Sequence, residues 1–235
     1  MFNISIKQEI FNIVLMKGIE SLLIKFSKKK RVYKYKILKL LENARGLDTL
    51  KYVDVEDLGF SDKIGYRYEG TSIKIIRKVL KDLKITSQDR IIDIGCGKGR
   101  ALIGFSKYPF TRITGLEISK DLLEICKNNL NILKINYIDL ININALDFID
   151  YSDYNYIYFY NPFPESTFRV VLNNLINTTS KNCSQSIYLI YKNPTCHEII
   201  INSGYFKPIK QYNFKNIAYP LLDSIYIYKS IYPNE

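Results

Sequence analysis

Histidine occurs once in this chain of 235 residues, as His197, and cysteine four times, with no Cys-x-x-Cys. Cys96, Cys126, Cys183 and Cys196 are too widely spaced for a zinc site or a thioredoxin-type motif, so no metal is expected. Cys196 and His197 adjoin, but neighbours on an extended chain point to opposite faces, a poor arrangement for a nucleophile and its base. Cys96 stands in a glycine-rich turn that needs a small residue and is read as packing. No stretch approaches the roughly 18 uninterrupted apolar residues that span a bilayer. The opening Met1-Phe2-Asn3-Ile4-Ser5, with Gln8, Glu9 and Lys17 soon after, lacks the pattern of a secretory signal, and a cytoplasmic location is expected. There is no low-complexity linker and no internal repeat. The length fits one domain, or one domain with an extension, and 47% apolar residues can fill its core.

Arginine is scarce beside lysine, 8 against 26. That weakens the case for nucleic acid, whose recognition favours the bidentate guanidinium. The net charge of +11 is also uneven. Residues 1–50 hold 11 Lys/Arg and 4 Asp/Glu, so the basic character is mostly N-terminal.

Ile6, Ile10, Phe11, Val14, Leu15, Ile19, Leu22, Leu23 and Phe26 recur at helical spacing, which predicts an amphipathic helix over 4–26. Lys28-Lys29-Lys30-Arg31 follows, then a second helical stretch over about 33–44 that ends near Gly46. One reading is a helical pair capping the main domain. Others are a helix lying on anionic lipid, or a docking element for an acidic partner. The expected division is a basic helical extension, 1–46, and a main domain, 47–235.

Beyond residue 70 the patterns alternate. A helix from Ile73 to Leu83, capped by Thr71 or Ser72, precedes strand 90–94, helix 100–107, strand 112–117, helix 119–133 and strand 137–143. Strand 154–160, helix 165–178, strand 186–191, a short helix near 196–202 and a last β segment, 224–230, complete the series. This predicts an α/β fold, a three-layer αβα Rossmann-like sheet, mostly parallel with helices on both faces. The alternating Ser224-Ile-Tyr-Ile-Tyr-Lys229 fits an antiparallel C-terminal strand.

The densest signal is Ile91-Ile-Asp93-Ile-Gly95-Cys-Gly97-Lys-Gly99-Arg100. A β-type run ends in an acid, and glycines follow that let backbone approach a ligand closely. Glu117 closes the next apolar run, twenty-two residues past Gly95. A strand, a glycine turn, a helix, a strand and a terminal acid describe a nucleoside-binding βαβ unit. The turn reads Gly-x-Gly-x-Gly, not the Gly-x-Gly-x-x-Gly of dinucleotide enzymes, which disfavours an NAD-linked oxidoreductase.

These residues resemble the class I, seven-strand methyltransferases that use S-adenosylmethionine. The resemblance implies that Asp93, Gly95, Gly97 and Gly99 line the donor and that Glu117 holds its ribose diol. It also implies that Asn144 or Asp147, in Asn144-Ala145-Leu146-Asp147, meets the adenine; the choice between them stays open. The fourth strand ends in Tyr160-Asn161-Pro162-Phe163-Pro164, similar to the Asn/Asp-Pro-Pro-aromatic turn of enzymes that methylate planar nitrogens. Methyl transfer from a sulfonium is an in-line displacement. An Asn161 carbonyl and a following backbone carbonyl can accept N–H bonds from the target and aim its lone pair, and Phe163 can stack on it. Asn161, Pro162 and Phe163 are therefore the expected catalytic group. Here Phe163 stands where the motif has its second proline.

Upstream, Tyr66-Arg-Tyr68-Glu69-Gly-Thr71 is distantly similar to a donor-covering loop of the seven-strand histone-lysine methyltransferases, which implies donor contacts for Tyr68, Glu69 and Thr71. Tyr and Glu adjoin here without the glycine that separates them there. The chain also resembles small bacterial methyltransferases with an Asn-Pro-Phe turn after strand 4. After the fifth strand, Tyr191 and Asn193 are secondary substrate candidates, Lys192 is read as solvated, and His197 as a satisfied surface or helix-start residue. The expected activity is methyl transfer to a nitrogen of a protein side chain or small molecule. The alternatives are an adenine-N6 type nucleic-acid methyltransferase and a non-catalytic donor-binding or membrane-associated accessory protein.

Overall fold

A computed structural model describes residues 32–33, 35–54, 68–161, 163–180, 185–214 and 224–231. The helix expected over 4–26 and the Lys28–Arg31 run lie outside the described residues, as do Pro162 and Cys183.

Seven strands form one sheet in the order β3-β2-β1-β4-β5-β7-β6. They are β1 Arg90–Ile94, β2 Arg112–Glu117, β3 Asp139–Asn142, β4 Tyr156–Tyr160, β5 Tyr188–Lys192, β6 Phe206–Asn213 and β7 Ser224–Ser230. β1 to β5 run parallel; β7 pairs antiparallel with β5, and β6 antiparallel with β7. This is the expected mixed sheet with its antiparallel C-terminal strand.

The central strands are apolar along nearly their whole length because helices cover both faces. On one face Ile91, Ile113, Tyr158 and Ile190 pack beneath helices α2 (Ile73–Leu83), α3 (Arg100–Phe105) and α4 (Lys120–Ile132). On the other, Ile92, Ile157, Phe159 and Leu189 pack beneath α5 (Glu165–Thr179) and α6 (His197–Asn202). α2 turns Ile76, Val79 and Leu80 inward, the three-and-four spacing of an amphipathic helix. Ser72 occupies its N-cap position without a side-chain cap bond. α4 is capped conventionally: the Ser119 hydroxyl accepts the Leu122 N–H at 3.3 Å.

Two features depart from the sequence reading, and the helix expected over about 33–44 is present. The sequence pattern does not predict β6, because Lys207, Pro208 and Lys210 disguise it; they suit an edge strand, and the register shifts between Pro208 and Lys210. A single 3-10 turn, Tyr151–Asp153, lies before β4. Residues 35–43 are helical and are called α1. The Tyr35 hydroxyl donates to the Leu50 carbonyl at 3.1 Å, and Glu42 reaches Thr49 and Arg100, so α1 is fastened to the main fold by its inner side.

Candidate active site

The strand order reverses between β1 and β4, and ligands of open α/β sheets bind at the carboxyl ends of strands at such a switch point. Asp93, the glycine turn, Glu117 and Asn161 all sit at that edge.

Gly95, Gly97 and Gly99 have left-handed φ values of 80°, 52° and 79°. Gly97 is required twice over: an added Cβ would overlap the ring of Tyr68. Tyr68 thus lies against the turn, and its hydroxyl donates to the Thr49 carbonyl at 2.9 Å. The Lys98 ammonium stands 5.7 Å from the Tyr68 ring centroid and pairs with Asp48 at 2.7 Å. Arg100 donates to Glu42 and Thr49. The basic residues of the turn therefore do not face an incoming ligand; they clamp residues 42–49 onto the turn. Nothing in the sequence pattern marks Lys98 or Arg100 for this.

Glu117 is buried at the end of β2. Its Oε2 accepts the Gly97 N–H at 2.8 Å and its Oε1 the Ser119 N–H at 2.9 Å. Each carboxylate oxygen has a second lone pair, so the group can still take two hydroxyl donors. Burial raises its pKa, while the backbone N–H groups of Ser119, Gly97 and Ile118 work in the other direction. Asp93 is also buried; desolvation, then the charge of Glu117, pushes its carboxyl well above the usual range. Two acids share one corner of the site and oppose each other's ionisation.

Thr71 is buried, and its hydroxyl lies 2.6 Å from that of Tyr158, the residue in register with Asp93. Glu69 is exposed. Past β3, the Asn144 Oδ1 accepts the Leu146 N–H at 3.0 Å, which leaves the amide NH2 to donate. Asp147 is exposed.

β4 and β5 both end in asparagines with left-handed backbone, Asn161 at φ 38° and Asn193 at φ 51°. Each precedes a proline, a sterically costly place for that conformation. The Asn161 Oδ1 accepts the Thr195 hydroxyl at 2.5 Å, and the Thr195 N–H donates to the Asn193 carbonyl at 2.8 Å. Thr195 thus ties the two turns together, a role that sequence reading misses. The Asn193 Oδ1 is buried with no hydrogen-bond partner. Phe163 is buried, 6.3 Å from Phe168, and Tyr191 stacks on Phe168.

Lys192 corrects an expectation. It is buried rather than solvated, with its ammonium 3.8 Å from the Tyr160 ring centroid. His197 opens α6, and its Nδ1 lies 2.8 Å from the Tyr228 hydroxyl, as a satisfied helix-start residue would. Cys196 is buried, and its neighbour's ring is engaged elsewhere.

The family described as "Methyltransferase domain" matches residues 85–211, more than half of the chain. The protein belongs to this methyltransferase family. No curated protein matches it. Among solved structures, it is similar to the ribosomal protein L11 methylase of Lactobacillus delbrueckii subsp. bulgaricus, at 12% identity and TM-score 0.52. That match covers 69% of this chain and 80% of the other. It is similar to an RNA methyltransferase of Salinibacter ruber, solved with S-adenosylhomocysteine, at 15% identity and TM-score 0.50, covering 70% and 97%. The N-methyltransferase NodS of Bradyrhizobium japonicum, also solved with S-adenosylhomocysteine, matches at 12% and 0.50, covering 68% and 87%. Such likenesses show the fold alone.

This is therefore a class I methyltransferase, and its donor is S-adenosylmethionine. The residues present suit that group. The glycine turn has no side chain at its three left-handed positions, and the Glu117 carboxylate keeps two lone pairs for a diol.

Proposed function

We propose that this methyltransferase acts on a nitrogen, in a protein side chain or a small molecule, and that Asn161 is its main acceptor-binding residue. The reading places it with small bacterial enzymes that carry an Asn-Pro-Phe turn after strand 4, and it treats residues 1–46 as an extension to the catalytic domain 47–235. The observation that carries it is the left-handed Asn161 at the end of β4, its carboxamide fixed by Thr195.

S-adenosylmethionine supplies a methyl group on an electrophilic sulfonium. Asp93 and the backbone at Gly95, Gly97 and Gly99 bind the donor's amino-acid portion. Glu117 accepts from the ribose hydroxyls with its two remaining lone pairs. Asn144 donates its free NH2 to a ring nitrogen of adenine, which leaves Asp147 to accept from the adenine amino group. Tyr68 shields the turn, Glu69 and Thr71 border the donor, and Phe163 holds the Asn161 turn in place.

Asn161 has one lone pair of Oδ1 engaged by Thr195. The other accepts an N–H from the target and points the nitrogen's own lone pair at the methyl carbon. A nucleic-acid acceptor is the second reading, since a carboxamide also recognises an exocyclic amine. The scarcity of arginine argues against it.

The test is transfer of radiolabelled methyl into cell extract, followed by separate protease and nuclease digestion. Label should stay in protein or in the small-molecule fraction, and Asn161→Ala should abolish it while donor binding persists. Label released by nuclease, or equal loss of binding and transfer in the variant, overturns the reading.

A further inference from the structure

α1 has two unlike sides. Tyr35 and Glu42, seven residues apart and on one face, are the residues bonded to the main fold. Roughly 160° round the helix, at 3.6 residues per turn, lie Ile37, Leu40 and Leu41, with Tyr33 one turn earlier. These are exposed by 57%, 67%, 55% and 59% respectively, an apolar face that nothing covers among the described residues. Single exposed leucines are ordinary, but a run at three-and-four spacing on one helix face marks an interaction surface.

The charge around this face narrows what it fits. Lys36 is exposed at the edge of this face, and Lys39 is exposed further round the helix. Glu42 is the only acid of α1, and it is turned inward onto Arg100. The outward surface is thus apolar and cationic, with no acid on it. In sequence it directly follows Lys28-Lys29-Lys30-Arg31, within the fifty residues that hold 11 Lys/Arg against 4 Asp/Glu. A second copy of the same face would set like charges against each other. A bilayer of anionic lipid satisfies both properties at once: acyl chains take the apolar side chains, and headgroups take the lysines.

We propose that α1 is a docking face for an anionic lipid surface. Because Tyr35 and Glu42 fix α1 against Thr49, Leu50 and Arg100, docking holds the catalytic domain at a set orientation to the membrane, with the donor turn one ion pair away. No helix among the described residues is long and apolar enough to cross a membrane.

The test is co-sedimentation of the full-length protein with phosphatidylcholine vesicles, with and without phosphatidylglycerol, alongside Ile37→Glu/Leu40→Glu and Lys36→Glu/Lys39→Glu variants. All four side chains are exposed, so the variants should fold and bind S-adenosylmethionine as the parent does; circular dichroism and donor titration check this. The native chain should sediment with the phosphatidylglycerol vesicles and about tenfold less with phosphatidylcholine alone or with either variant. Light scattering covers the other occupants. A dimer that Ile37→Glu/Leu40→Glu dissolves assigns the face to a second copy and overturns the proposal. A monomer that ignores anionic vesicles assigns it to the chain's own residues 4–26 and also overturns it. Vesicle binding that survives both double variants shows that a different segment binds lipid, and α1 then loses the role proposed for it.

Discussion

The guanidinium of Arg100, the first residue of the helix after the glycine turn, is ion-paired with Glu42, the acid of α1. Both side chains are largely buried, and Thr49 is bonded to each of them. Removing one partner of a buried pair strands the other charge, at a cost of about 3 kcal/mol. Glu42→Ala should therefore lower unfolding stability by about that amount in urea, and should weaken donor binding as well, because the turn loses its clamp. A surface-like loss of about 0.5 kcal/mol would mean that α1 and the glycine turn are not coupled.

Gly97→Ala should be among the most damaging single-methyl changes in the molecule. The new Cβ overlaps Tyr68, and the backbone there is left-handed. Overpacking plus conformational strain amounts to about 3 kcal/mol. Adding Tyr68→Ala should return part of that loss, since it removes the overlap and not the strain. A double variant as unstable as the sum of the singles would rule out the contact.

Asp93 and Glu117 set a pH dependence. Both carboxyls are raised in the fold, chiefly by burial, so the folded state holds protons that the unfolded chain has released. The donor-free protein should lose stability as pH rises from the ordinary carboxylate range through the folded values, and level off above them. Asp93→Asn should flatten this slope and stabilise the donor-free protein at neutral pH while weakening donor binding. Chemical denaturation at a series of pH values checks it; stability that rises with pH across the same window contradicts it.

Thr195→Val keeps the shape of Thr195 and deletes its hydroxyl bond to Asn161. Under the positioning role given to it, turnover falls about tenfold, with donor affinity unchanged and acceptor KM little altered. Thr195→Ser should restore turnover. Failure of serine to do so would reduce Thr195 to packing.

Much of the fold and the position of the candidate site is legible in the sequence, for physical reasons that differ by element. The runs around Ile91 and Ile157 read clearly because parallel central strands are apolar on both faces. The Glu117 carboxylate is legible because an acid closing an apolar strand near a glycine turn has few other reasons to be there. β6 is hidden because an edge strand needs no apolar face, and its Lys207, Pro208 and Lys210 look like loop. Lys192 reads as solvated because sequence gives its charge and not the Tyr160 ring that shelters it. The tie from Thr195 to Asn161 joins residues 34 apart in the chain, and no local pattern marks it.

The central claim is that the Asp93–Glu117 corner and its glycine turn form an S-adenosylmethionine site. Calorimetric titration with S-adenosylmethionine, S-adenosylhomocysteine and NAD tests it directly, with Glu117→Ala as the control. Saturable binding of both sulfur ligands, no binding of NAD, and a large loss of affinity in Glu117→Ala are expected. Binding of NAD, or undiminished affinity in Glu117→Ala, would contradict it.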